Sequence, residues 1–122
     1  MVMVINENDK TVKVDHRMQV TIEIYGVKQT AVFDTGADTS VGGLEVYKDL
    51  KRAHPDLKLI DKGKYTAHGP GGERLKCLGK IIVPVKIGGV ERELPLLIIE
   101  RCISGILIGR AWLKEHKAKI NM

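Results

Sequence analysis

Ala31-Val32-Phe33-Asp34-Thr35-Gly36-Ala37-Asp38-Thr39-Ser40-Val41 is the stretch of this 122-residue chain that decides its fold. An apolar run leads straight into an acid, a small hydroxyl residue and a glycine. A strand end of this kind holds a carboxylate rigidly, and the glycine lets backbone come close to a ligand. Alone, Asp-Thr-Gly also reads as a polar turn after a strand. A second element near the other end of the chain adds weight: Ile106-Leu107-Ile108-Gly109-Arg110-Ala111-Trp112-Leu113, an apolar strand that turns through glycine into a helix.

Around these two elements, period-two alternation dominates, as in Val20, Ile22 and Ile24 against Thr21, Glu23 and Tyr25. Such alternation marks half-buried strands. A first hairpin is predicted to pair residues 20–25 with 28–33 across Gly26-Val27, and a second to join 80–87 with 90–99 across Gly88-Gly89. Pro84 and Pro95 lack a ladder donor, which predicts edges or bulges. Residues 64–75 form two strand-like arms around Gly69-Pro70-Gly71-Gly72, a tip that bends sharply and packs little. Helices are predicted at 44–53, stopped near Pro55, and at 110–116; the alternation of 118–122 predicts a short final strand. The fold class is all-β, a small closed or sandwiched sheet with one C-terminal helix.

Composition narrows the function. With 43% apolar and 29% charged residues the chain has enough apolar surface for one packed core. The net charge of +5 is interleaved with acids, as in Glu91-Arg92-Glu93, and aromatics for base stacking are few, so nucleic acid is not expected as a partner. The apolar runs 94–99 and 106–108 are far shorter than the roughly 18 residues of a membrane span. Residues 1–5 are apolar but lack a basic leader and a cleavage site, so no signal peptide is expected. Cys77 and Cys102 have neither metal spacing nor a disulfide framework, which fits a reducing compartment. No metal or cofactor is predicted. No Gly-x-Ser-x-Gly elbow surrounds Ser40 or Ser104, and Gly69-Pro70-Gly71-Gly72 is not followed by the Lys-Ser/Thr of a phosphate loop.

Together, Asp34-Thr35-Gly36-Ala37-Asp38-Thr39, Ile108-Gly109-Arg110 and the Gly-rich hairpin between them resemble the retroviral-type aspartic proteases, the retropepsins of retroviruses and LTR retrotransposons. The resemblance covers residues 16–122 and leaves 1–15 as an N-terminal extension. It implies a retropepsin-like acid-protease half-barrel with a flap hairpin, working as a homodimer on peptide or polyprotein substrates, in the cytoplasm or a virus-like particle. The chemistry itself asks for the second copy. Two carboxylates must share a proton, one acting as base on a water and the other as acid toward the scissile carbonyl, and this chain has a single Asp-Thr-Gly. Two copies would bring Asp34 to its mate across a two-fold axis.

Carried over by the resemblance, Thr35 would lock the two active-site loops together and Gly36 would offer its carbonyl to the substrate. Ala37 and Asp38 would bind the flanking peptide, and Thr39 would shape an outer pocket. Arg110 would hold Asp38 within the subunit, and Arg17 matches the family's intersubunit arginine. Val32, Val41 and Leu107 would line pockets for apolar side chains, with residues 102–105 as a specificity loop. Gly69, Pro70 and Gly71 form the flap tip. Here the family uses a backbone N–H to hold a water against the substrate, and proline has none. Gly42-Gly43 replace the family's usual branched apolar residue, which predicts a loosened strand. The alternative is a non-catalytic retropepsin-like module for dimerisation or peptide binding inside a larger protein, such as the ubiquitin-shuttle relatives.

Overall fold

The computed structural model describes residues 18–34, 37–69, 71–100 and 105–120. Strands β1 (Met18–Ile24) and β2 (Val27–Asp34) form the first hairpin, in the register Ile24↔Val27. Its turn is Tyr25-Gly26, one residue earlier than the sequence predicted. A two-residue turn matching the strand twist needs positive φ at both positions, and Tyr25 (φ 53°) and Gly26 (φ 78°) supply it. The tyrosine is held there by stacking on His54, ring centroids 4.3 Å apart.

Strands β6 (Cys77–Ile87) and β7 (Val90–Ile99) meet across Gly88-Gly89, both at positive φ, as predicted. Pro84 and Pro95 stand where their strands lack a second neighbour. Strand β1 reaches β6 only at Glu23↔Lys86, and β3 (Val41–Gly43) pairs with β7 only from Leu97 onward. Strand β8 (Ile106–Gly109) inserts between β2, to which it is parallel, and β3, to which it is antiparallel. Among the described residues the order β1-β2-β8-β3-β7-β6 closes a barrel.

One face of each strand fills that barrel. Ile22, Ile24, Ala31, Ile81, Val83, Leu96, Ile98, Ile106 and Ile108 belong to one core, sealed by Val46 and Leu50 of α1 (Leu44–Ala53) and Trp112 and Leu113 of α2 (Arg110–Ile120). Helix α1 has the predicted bounds: Val46 and Leu50 lie one turn apart on its buried face, and Glu45 and Arg52 suit the dipole at its two ends. Trp112 Nε1–H donates to the Glu93 carbonyl at 2.8 Å and ties α2 to β7.

Two expectations are corrected. The final strand expected over 118–122 does not form at 118–120, where α2 continues, because so short an alternation does not tell period 2 from period 3.6; residues 121–122 lie outside the described residues. Gly42-Gly43 do not loosen β3. Both are buried, and a Cβ at Gly42 would stand 3.2 Å from Leu96 Cδ2 and 3.5 Å from Val46 Cγ1, so the missing side chain lets barrel and α1 pack closely.

Candidate active site

Asp34 ends β2, is only 4% exposed, and stands opposite Gly109 in the parallel register of β2 and β8. Thr35 and Gly36, which follow it, lie outside the described residues, as do Arg17, Pro70 and residues 101–104.

The loop after Asp34 is fastened to the start of α2 by successive N–H groups, which a helix N-terminus leaves without partners of its own. Gly109 N–H donates to Ser40 Oγ at 3.0 Å, Arg110 N–H to the Ala37 carbonyl at 2.7 Å, and Ala111 N–H to the Asp38 carbonyl at 3.4 Å. Ala37 N–H also donates to the Asp34 carbonyl at 3.1 Å, and Ala37 is fully buried. The Arg110 guanidinium hydrogen-bonds the Asp38 carboxylate, joining the two charged residues that the family resemblance pairs. Thr39 is exposed at its side chain, yet its backbone lies so close to Gly109 that a Cβ there would come within 2.6 Å of the carbonyl carbon.

Period two puts Val32 on the same face of β2 as Asp34. On that face the registers Val32↔Leu107, Leu107↔Val41 and Val41↔Leu97 set four apolar residues in one row across β2, β8, β3 and β7. All four are buried, and none is part of the barrel core. Beside the row stands a hairpin of β4 (Ala67–His68) and β5 (Arg74–Leu75), whose Ala67 and Leu75 pack on Val41 and Ile99 with half-buried Cys77 alongside. The hairpin is shorter than the predicted 64–75. Its buried Gly69 and exposed Gly71 flank the tip. The acid, the apolar row and the hairpin thus meet at one end of the barrel. Burial pushes the Cys77 thiol up, partly offset by its hydrogen bond to the Gly79 carbonyl. Among the described residues no group of three or more His, Cys, Asp and Glu side chains is placed to hold a metal ion.

Sequence reasoning missed three residues. Ser40 fits no nucleophile motif, yet a small hydroxyl residue just before the apolar Val41 is the kind of group that satisfies a buried N–H. Leu97 joins the apolar row only through the parallel pairing of β3 with β7. Glu73 folds back over the hairpin tip, where its Oε1 accepts the Gly71 N–H at 3.0 Å.

A closed barrel in which β8 lies parallel to the aspartate-bearing strand and then turns into a helix, with a small hairpin over the same end, is the retropepsin-like fold. Solved structures share it. The retroviral protease-like domain of Ddi1 from Leishmania major matches with a TM-score of 0.65 at 23% identity, over 83% of this chain and 78% of that one. EIAV protease in complex with the inhibitor HBY-793 matches with a TM-score of 0.66 at 24% identity, over 98% and 100%. A retropepsin-like aspartic protease from Rickettsia conorii matches with 0.56 at 18%, over 82% and 72%.

In sequence, the chain is similar to DNA damage-inducible protein 1 of Neurospora crassa, 27% identical over 108 residues, and of Phaeosphaeria nodorum, 26% identical over 118 residues. These alignments take in 88% and 96% of the chain but 24% and 26% of the relatives, so it spans about a quarter of their length. No family model matches the chain.

Proposed function

We propose that the chain is an aspartic endopeptidase that works as a homodimer. The observation that carries this reading is Asp34 itself, a buried carboxylate at a strand end, beside an apolar row and on a loop tied down by α2. Two Asp34 carboxylates, one from each copy, share a proton. One takes a proton from water as it attacks the scissile carbonyl, and the other protonates that carbonyl oxygen. Val32, Leu107 and Val41 accept apolar side chains on either side of the cleaved bond. Thr35, Gly36 and Arg17 keep the roles that the resemblance implies, Pro70 sits at the flap tip without the N–H the family uses there, and residues 1–15 remain an extension to the domain at 16–122.

The matches to DNA damage-inducible protein 1 favour a domain of a cellular protein over one encoded by a retrovirus or retrotransposon. They also sustain a second reading, a non-catalytic module for dimerisation or peptide binding within a longer protein, because their length is about four times that of the matched region. The cytoplasm suits either reading, a virus-like particle only the first. Peptide-library cleavage by the chain and by Asp34→Asn separates them. The enzyme reading expects cleavage that disappears in the mutant, with the fold and the sedimenting species unchanged. Undiminished turnover in Asp34→Asn, or a folded chain that cleaves nothing, would refute it.

A further inference from the structure

The tip of the β4–β5 hairpin spends its N–H groups unequally. Gly69 N–H donates to the Glu73 carbonyl at 2.8 Å and Gly72 N–H to the Gly69 carbonyl at 3.0 Å, so both are committed to closing the backbone turn. Gly71 N–H instead donates to a side chain, Oε1 of Glu73, at 3.0 Å. Position 70 is proline and brings no amide hydrogen. Among the described tip residues, Gly71 therefore carries the N–H that can change acceptor without opening the turn.

The surrounding glycines make room for this arrangement. A Cβ on Gly69 would overlap the Glu73 carboxylate, and one on Gly71 would stand 3.1 Å from Oε1. Gly71 and Glu73 are both exposed. Exchanging one acceptor for another there costs little, because each side of the exchange keeps its hydrogen bonds.

We propose that Glu73 is a built-in competitor for the peptide at the flap tip: its carboxylate holds the Gly71 N–H in the empty chain and yields it to a backbone carbonyl oxygen of the bound peptide. The proposal rests on the protease reading above. In this role Glu73 is a positioning residue, and Gly71 replaces Pro70 as the donor facing the peptide.

The test uses the full chain, 15N-labelled, with a statine-type peptide mimic as the ligand. In the free chain, Glu73→Ala should move the Gly71 amide signal and leave those of Gly69 and Gly72 in place; Glu73→Gln, which keeps an oxygen acceptor without the charge, should move it less. Freed of its competitor, Glu73→Ala should bind the mimic about three- to tenfold more tightly and lower KM by a similar factor with kcat held. Gly69→Ala, which expels the carboxylate while Glu73 is still present, should act in the same direction and guards against a tip disordered by Glu73→Ala. Equal or weaker binding of the mimic in both Glu73→Ala and Gly69→Ala, while the wild-type chain binds it, overturns this proposal and leaves the protease reading standing. A mimic that binds neither wild type nor variants overturns both.

Discussion

Ser40→Ala removes one oxygen from the loop that presents Asp34, and its effect follows from burial. Ser40 is 4% exposed and its Oγ accepts the Gly109 N–H at 3.0 Å. Without that oxygen a buried N–H has no acceptor, at a cost of about 1–3 kcal/mol. The unfolding entropy of a 122-residue chain is about 0.26 kcal/mol/K, so Tm should fall by about 4–12 °C. Asp38→Ala provides the contrast. It breaks an ion pair whose side chains are 59% and 63% exposed, and exposed pairs contribute about 0–1 kcal/mol, or at most about 4 °C. Thermal melts at one protein concentration, with self-association thereby held constant, rank the two. Ser40→Thr, which keeps the acceptor, should recover most of the loss. A Ser40→Ala melt within about 1 °C of wild type, or above that of Asp38→Ala, would refute the assignment of the buried hydroxyl as the main fastener.

Gly109→Ala should be worse than either, since its Cβ would sit 2.6 Å from the Thr39 carbonyl carbon and 2.8 Å from the oxygen, and backbone has no rotamer in which to escape. A loss of about 2–4 kcal/mol is expected in urea titration, and a near-wild-type midpoint would show that the loop can shift freely. The Lys80 ammonium is held above the ordinary lysine range chiefly by a hydrogen bond with Tyr65, with desolvation opposing and the charges of Tyr65 and Asp61 adding. A folded pKa above the unfolded one gives stability that is full below the unfolded lysine value and is lost as pH rises through the folded value. Tyr65→Phe should therefore lower the Lys80 titration midpoint seen by NMR and shrink the alkaline loss of stability; an unmoved midpoint would contradict the stated cause.

Local chemistry made much of this molecule legible in one dimension. The bounds of α1 follow from Val46 and Leu50 one turn apart and a stop at Pro55, and the β6–β7 turn follows from Gly88-Gly89, because each depends on neighbours within a few residues. The charged pair Asp38 and Arg110 was legible through a family resemblance. Where local signals were ambiguous, the reading slipped: Tyr25 takes a left-handed turn position that its side chain alone would not suggest, and 118–120 continue a helix whose face the short alternation hid.

Asp34 and its apolar approach were determined by the sequence alone, since they reside in residue types and adjacent order. Tertiary structure decided what surrounds that acid. Pairings between strands far apart in the chain set Asp34 opposite Gly109 through β2 and β8, extend the row from Val32 and Leu107 to Val41 and Leu97 through β3, and turn Ser40 into an acceptor for the start of α2. A one-residue slip in those registers would send each of these side chains to the other face of the sheet, and register is fixed by packing of the whole barrel, which no local stretch encodes.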